Sequence, residues 1–260
     1  MHISFLNCFK SEWLKTKRSL ASWLVIAGAF FTPIIIIVAR LAHYKQLPEI
    51  YRNPGFWNVL WHSCWESMAI FLLPFGLILA TTLLTQLEFK NNSWKQVHVL
   101  PLTYTTIFTA KILVILLLVL QFFILFNLGY FLAAWIPYLL VSNVAWPLAE
   151  IPFTAMLREN GYFFIDSLPI LALQFLISLK FKNFLIPIGV GFVFWLTALG
   201  TLSWKYGYWM PYSYGMYNFL KQNSGRAATP EMNIHWMALG YTVFFTIISY
   251  ILYIGKKEKG

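Results

Sequence analysis

The amino-acid sequence predicts an all-α membrane protein with six transmembrane helices, and its composition and hydropathy pattern support this fold class. Apolar residues make up 59% of the 260-residue chain, and charged residues make up only 11%. A soluble domain of this size needs far more polar residues to cover its surface. Aromatic residues reach 19%, which is typical of proteins with many helix ends at headgroup level.

Six apolar runs divide the chain into transmembrane spans within a single membrane domain, residues 1–260. A helix that crosses roughly 30 Å of hydrocarbon needs about 20 apolar residues. The runs that meet this requirement are 20–41, 67–87, 108–136, 162–179, 184–204 and 236–254. The stretch 138–157 is also apolar, but two prolines and Glu150 interrupt it. We expect residues 137–160 to form a hairpin outside the membrane, and residues 205–235 a second outside loop.

The distribution of lysine and arginine orients these spans. With a cytoplasmic N-terminus, the inside segments carry 12 such residues in 53 positions, and the outside segments carry 7 in 81. Basic residues are enriched on the cytoplasmic side of membrane proteins, so both termini are predicted to be cytoplasmic. The basic residues behind the net charge of +10 can thus fix the orientation of the spans and contact anionic headgroups. We therefore expect no nucleic-acid partner.

Residues 1–19 are predicted to form a basic amphipathic helix in the inner membrane interface. Its apolar residues recur at helical spacing, while its lysines project elsewhere. The apolar set is Phe5, Leu6, Phe9, Trp13 and Leu14. A plain positive-inside anchor is the alternative interpretation.

The loop between the second and third spans, EFKNNSWKQVHVLPLTYTTIFTAK, is predicted to carry a short interfacial helix. Ser93 can cap a helix over 94–99, Pro101 ends it, and 103–106 can start the next span. Its length and aromatic content favour a docking surface, and a simple connector is the alternative. The candidate contact residues are Glu88, Lys90, Trp94, Lys95, Val97 and Val99.

At this loop the sequence resembles the permease subunits of type-2 ABC exporters, particularly the small drug- and bacteriocin-immunity-like group. The resemblance also includes the basic N-terminus SEWLKTKRS, the six spans and the basic tail KKEKG. It implies that the loop is the coupling helix, which receives force from an ATPase. It further implies a second permease protomer, identical or paralogous, in a bacterial cytoplasmic (inner or plasma) membrane.

The ATPase itself is expected to be a separate polypeptide. The chain contains no G-x-x-x-x-G-K-[ST] sequence, the backbone and lysine arrangement that holds nucleotide phosphates. We therefore expect no cofactor in this chain, with ATP and Mg²⁺ bound by the partner subunit. The expected substrate is hydrophobic or amphipathic: a peptide antibiotic, a drug or a lipid.

Four polar residues within the spans are candidates for a substrate path: Gln121, Asn127, Asp166 and Gln174. Ionisable residues inside membrane helices often mark functional sites. Alternatively, Asp166 caps the helix that starts near 162 or pairs with Arg158. The amides alternatively join neighbouring helices to one another.

Other functions are less well supported by the sequence. His62 and Glu66 lie four residues apart, but no H-E-x-x-H motif accompanies them, as a metalloprotease would require. A secondary transporter needs carboxylates near the midplane, and Asp166 is the sole acid near hydrocarbon. A non-transporting membrane scaffold stays an open alternative.

We predict that a cysteine added after Gly260 reacts with a membrane-permeant maleimide but not with an impermeant one in intact cells. A cysteine at Leu148, in the predicted outside hairpin, serves as the control and should react with both reagents. Labelling of the C-terminal cysteine by the impermeant reagent would contradict the six-span topology.

Overall fold

The structure, a computed structural model, describes residues 2–17, 19–90, 102–223 and 231–255, which are mostly helical. The first five helices are α1 (His2–Lys17), α2 (Leu20–Ala42), α3 (Leu47–Arg52), α4 (Phe56–Ser67) and α5 (Leu73–Lys90). The remaining helices are α6 (Tyr104–Leu140), α7 (Phe153–Lys180), α8 (Leu185–Thr201), α9 (Tyr214–Asn223) and α10 (Ile234–Gly255). A π-helical turn, Met68–Leu72, joins α4 to α5, so that the two form one continuous helical segment.

Five helical segments in these ranges are long and apolar enough to cross a membrane: Leu20–Ala42, Phe56–Leu87, Tyr104–Leu140, Phe153–Lys180 and Ile234–Gly255. Helix α8, at the predicted fifth span, is apolar but has only 17 residues. At 1.5 Å per residue it is about 25 Å long, at the lower limit for a membrane helix. The multi-pass helical fold is confirmed, and six crossings stay a prediction.

The second span begins earlier than predicted, at Phe56 rather than near residue 67. The sequence here contains His62, Ser63 and Glu66 and therefore resembles an interfacial loop. The helix forms because its aromatic residues share one buried face. That face consists of Phe56, Trp57, Leu60, Cys64 and Trp65.

Helix α7 is the centre of the bundle. It packs most extensively against α10 and α5, while α2 packs along α6 on the other side. At the α2–α6 crossing, a Cβ at Gly129 would lie 2.8 Å from Cγ of Pro33. Glycine is therefore needed there, because any larger residue would push the two helices apart.

Residues 207–223, part of the predicted outside loop 205–235, are mostly helical and pack against the helical bundle. Two 3-10 turns, Gly207–Trp209 and Pro211–Ser213, lead into α9, and α9 packs against α7 and the π turn. The buried residues include Tyr208, Tyr212, Tyr214, Tyr217 and Phe219. Glycine, proline and serine give this segment the composition of a loop. Its aromatic rings nevertheless bury a large apolar surface, which accounts for the packing.

The stretch 141–152 is non-helical, as its prolines predicted. It is held against α4, because Nε1 of Trp57 donates a hydrogen bond to the carbonyl of Ala149 at 2.9 Å.

Helix α1 packs against α6, and a charge cluster holds the two together. Oε1 of Glu12 lies 2.6 Å from Nζ of Lys15, and Oε2 lies 3.3 Å from Nζ of Lys111 on α6. Burial alone would raise the pKa of Glu12, but the two ammonium groups, Lys111 foremost, outweigh it and hold this pKa below its ordinary value. The cluster therefore favours an ionised carboxylate.

The amphipathic pattern predicted for α1 is present, but two of its predicted apolar residues lie on the exposed side. Phe5, Phe9 and Trp13 pack against the core, as expected. Leu6 and Leu14, however, are 61% and 55% exposed and lie on the same side as the exposed lysines. A mixed leucine and lysine face is suited to the boundary between headgroups and acyl chains.

We predict that Glu12→Gln lowers the free energy of unfolding by about 1–3 kcal/mol, because it removes the charge-assisted contacts of this carboxylate with Lys15 and with the nearly buried Lys111 ammonium. Denaturant unfolding in detergent micelles measures this change. Since the folded-state pKa of Glu12 is lowered, its contribution is present above the pKa of the unfolded chain and is lost as pH falls below about 4.

The control for Glu12 is Lys205→Gln. Lys205 and Glu231 lie 2.8 Å apart, but both side chains are more than half exposed. Solvent screens such a pair, so stability should not change. Equal effects of the two substitutions would contradict the assigned role of Glu12.

Candidate functional site

The polar side chains of α7 and of the helices around it form three separate junctions. α7 carries Asn160, Asp166 and Gln174, and each of these side chains contacts a different neighbour. The buried segment that leads into α9 also contributes to one junction. Together these contacts define the candidate site.

Gln174 is completely buried and makes hydrogen bonds in three directions. Its Nε2 donates to Oγ1 of Thr82 on α5 and to the carbonyl of Pro187 on α8, both at 2.8 Å. Its Oε1 accepts from the hydroxyl of Tyr212 at 3.1 Å. The amide thus joins four segments of the chain, as the structural alternative for this residue predicted.

The close packing around Gln174 leaves little space. A Cβ at Gly191 on α8 would lie 2.8 Å from Oε1 of Gln174 and 2.9 Å from Cγ2 of Ile78. Glycine at this position therefore allows α8 to approach α7 so closely that Nε2 of Gln174 reaches the Pro187 carbonyl. Gln86 on α5 adds a further link through the carbonyls of Ser178 and Phe181.

Asn127 on α6 pairs with Asn160 on α7 through two reciprocal hydrogen bonds of 3.0 Å. Each amide also donates a hydrogen bond within its own helix: Asn127 to the carbonyl of Phe123, and Asn160 to the carbonyl of Met156. Paired amides of this kind commonly join membrane helices. Gln121, by contrast, is half-buried and takes part in none of these junctions.

Asp166 contacts His235, and both structural alternatives predicted for it are wrong. Oδ1 of Asp166 lies 2.8 Å from Nδ1 of His235, at the start of α10. Arg158 lies instead 3.4 Å from Glu159. α7 begins at Phe153, well before the predicted residue 162, so Asp166 is inside the helix and caps nothing.

The surroundings of Asp166 are unusual for a charged side chain. The carboxylate is fully buried, and its Oδ2 has no hydrogen-bond partner in the described part of the chain. The ring of Tyr162 stacks on His235 with 4.2 Å between centroids. This arrangement fixes the imidazole over the acid and joins α7 to α10.

The predicted coupling residues lie largely beyond the described ranges. Glu88 and Lys90 occupy the last turn of α5, but their side chains are not among those described. Trp94, Lys95, Val97 and Val99 also lie outside the described residues. The predicted start of the third span is confirmed, since Oγ1 of Thr103 accepts from the N–H of Thr106 at 3.3 Å and caps α6.

Several partners in these junctions were missed by the sequence analysis, namely Thr82, Gln86, Asn160, Tyr212 and His235. Each lies far along the chain from the residue that it contacts, so no local spacing indicates the pair. One weak signal of these contacts was present in the sequence: the residues are polar, and polar side chains inside hydrocarbon need hydrogen-bond partners.

The metalloprotease alternative depends on His62 and Glu66, which both lie on α4. Among the described residues, no three His, Cys, Asp or Glu side chains are grouped so that they could hold a metal ion. The ring of His62 packs against Phe219, with 4.9 Å between centroids.

Comparison with known proteins gives one finding. A family model described as ABC-2 family transporter protein matches residues 8–198, more than half of the chain. The matched region extends from α1 into α8 and includes Asn127, Asp166, Gln174 and the loop after α5. No curated protein and no solved structure matches the chain.

We predict that Gln174→Leu lowers the free energy of unfolding by roughly 2 kcal/mol, because three bonds between segments are lost at about 0.6 kcal/mol each. Gln121→Leu is the matched control and should have little effect. Denaturant unfolding in micelles measures both. If Gln174→Leu left stability unchanged and abolished only transport, the residue would contact substrate and would not join helices.

Proposed function

The chain belongs to the ABC-2 transporter family, and we propose that it is the membrane-spanning subunit of an ATP-driven exporter. The family match over residues 8–198 is the observation that carries this proposal. It agrees with the multi-pass helical fold and the apolar composition. The chain has no Walker A sequence, so the proposed complex takes its ATP and Mg²⁺ on a separate ATPase subunit.

The ATPase contact in this proposal is the loop between α5 and α6. The α5 helix extends to Lys90 and α6 begins at Tyr104, so residues 91–103 connect these two helices. Trp94, Val97 and Val99 would supply an apolar anchor, with Lys90 and Lys95 at its rim. Glu88 would hold the loop against the membrane face.

Helix α1 supports the same arrangement. Its Glu12 contacts Lys111, two turns after the start of α6, so α1 lies at the end of the bundle that carries this loop. Force applied to the loop would therefore act on a charge cluster already joined to α1. A rigid connection transmits movement better than a flexible one.

The proposed topology has six crossings, with α8 as the fifth, and both termini in the cytoplasm of a bacterial cell. A second copy or a paralogous protomer would complete the transport path. The substrate class we propose is hydrophobic or amphipathic. Of the four polar candidates for this path, Asn127, Asp166 and Gln174 join helices, so Gln121 is the one that a substrate would meet.

The principal alternative is a membrane protein that performs no transport, such as a scaffold. A scaffold needs no ATPase contact, which distinguishes the two functions. We therefore predict that single cysteines at positions 93–98 crosslink to an ABC ATPase in intact membranes, in a background where Cys8 and Cys64 are replaced by alanine. Leu148→Cys, in the stretch predicted to lie outside, is the control and should capture none.

Substitution provides a second arm of this experiment. Trp94→Ala or Lys95→Glu should release the ATPase or uncouple transport, while the protein inserts at its normal level. Trp204→Ala removes an exposed tryptophan away from the loop and should change neither. If no position from 93 to 98 ever captured an ATPase, the exporter proposal would be wrong.

A further inference from the structure

Helix α10 is attached to α7 at its first turn by a buried acid–base pair. Oδ1 of Asp166 lies 2.8 Å from Nδ1 of His235, the second residue of α10. The side chain of Asp166 is fully buried, while that of His235 is 21% exposed. The ring of Tyr162 stacks on the imidazole and holds its orientation. A proton can therefore reach the buried acid through the partly exposed imidazole.

The pair lies at the end of the bundle remote from α1. Near the other end of α10, the hydroxyl of Tyr250 lies 2.7 Å from that of Thr105, on the first turn of α6. α1 also contacts the first turns of α6, through Lys111. His235 precedes Tyr250 by 15 residues, or about 22 Å of helix. Most of the membrane thickness thus separates the pair from the charges of α1.

The net charge of the pair depends on one proton. With that proton, on either the imidazole or the carboxyl group, the pair is neutral as a whole. Without it, an ionised carboxylate is buried beside a neutral ring, and the pair carries one net negative charge. Burial of a net charge is costly in free energy, so folding favours the pair that holds the proton.

Within the described ranges, the neighbouring groups supply no full positive charge that could replace this proton. The charged groups that act on Asp166 are His235 and Glu159, and Glu159 is itself an acid on α7. The described parts of α5, α6 and α8 contribute none. The start of α10 carries a partial positive charge of about one half, which reduces the negative charge without cancelling it. Its first N–H groups are, moreover, already bonded to Oδ1 of Asn233.

The second carboxylate oxygen points to the same conclusion. Oδ2 of Asp166 is buried without a hydrogen-bond partner in the described part of the chain, and so is the hydroxyl of Tyr214 on α9. Tyr214 packs against Ile165 on α7 and Ile234 on α10. These two residues directly precede the members of the pair, so both unsatisfied groups belong to one cluster. A buried carboxylate with a single hydrogen bond is poorly stabilised as an ion, which again favours the protonated pair.

The attachment of α10 depends on few buried contacts. Its buried residues, in the part of the helix that the structure describes, are Ile234, Ala238, Ser249 and Tyr253. Further along the helix, the hydroxyl of Tyr241 donates to the carbonyl of Trp209 at 3.2 Å. A proton on the pair makes the bond at the first turn charge-assisted or neutral, and its loss leaves the acid without compensation. Occupancy by the proton therefore affects how firmly this end of α10 is held.

We propose that Asp166 and His235 form a proton-binding site that holds the first turn of α10 against α7 while the proton is bound. Loss of the proton loosens this contact. The ligand is a single proton, taken up through the imidazole at the end of the bundle remote from α1. The site does not depend on the exporter function, because it rests on contacts of the folded chain alone.

Denaturant unfolding of the full chain in micelles, between about pH 5.5 and 8.5, tests the proposal. Asp166→Asn keeps an acceptor for His235 but carries no charge. An unfolded chain releases its histidine protons over this range, whereas the folded pair retains its proton. The contribution of the pair is therefore greatest at low pH and is lost as pH rises. Across the range, the unfolding constant of the wild type should rise about tenfold more than that of Asp166→Asn.

Glu231→Gln is the matched control. Glu231 is also an acid near the start of α10, but its pair with Lys205 is more than half exposed. Solvent screens this pair, so the pH profile of Glu231→Gln should match that of the wild type.

A double variant, Asp166→Asn with His235→Asn, keeps the test decisive if Asp166→Asn does not fold. Two amides already join α6 to α7 in this way, at Asn127 and Asn160. The double variant should keep the link to α10 and lack the pH dependence of the wild type.

Identical pH profiles of the wild type and the Asp166 variants would overturn the proposal, because the pair would then bind no proton. A profile changed equally by Glu231→Gln would also overturn it and place the titrating group elsewhere. Stabilisation of the wild type alone by sodium or zinc chloride, at the upper end of the pH range, would assign the site to a metal cation and contradict the proposal.

Discussion

Hydrocarbon offers no water, so every polar group that this chain carries into the membrane needs a partner within the protein. Three polar residues of helix α7 find such partners: Asn160, Gln174 and, through its Oδ1, Asp166. Each residue is bonded to a different neighbouring segment, and the arrangement of helices around α7 follows from these bonds. The apolar surfaces supply most of the stabilisation, whereas the polar junctions fix which faces meet.

The same constraint explains why irregular backbone is found inside the bundle. Residues 207–213 do not form a regular α-helix, yet their tyrosine rings lie among α7, α8 and α9. The hydroxyl of Ser213 donates to the carbonyl of Met210 at 2.7 Å, and that of Tyr217 donates to the carbonyl of Leu202 at 3.1 Å. Such bonds satisfy groups that lipid could not, so this segment is stable only in contact with the rest of the protein.

The sequence was sufficient to predict the helical membrane fold, because long apolar runs have few other stable states. The predicted ends of the first and last spans lie within a few residues of the observed ends of α2 and α10. The predicted start of the second span lies near residue 67, whereas the helical segment begins at Phe56. The predicted partner of Asp166 was also wrong, because His235 lies 69 residues away and Arg158 is the nearest positive charge along the chain. The coupling residues at 94–99 stay predictions, since they lie outside the described ranges.

The most direct test of the account is ATP hydrolysis by an ABC ATPase that co-purifies with this chain. The complex is reconstituted in liposomes, and its rate of ATP hydrolysis is compared with the rate of the same ATPase without the chain. We predict a higher rate in the presence of the chain, with a further change when a transported amphipathic compound is added. A rate that is identical with and without the chain, or a correctly inserted chain that never co-purifies with an ATPase, would contradict the claim that this is an ABC permease subunit.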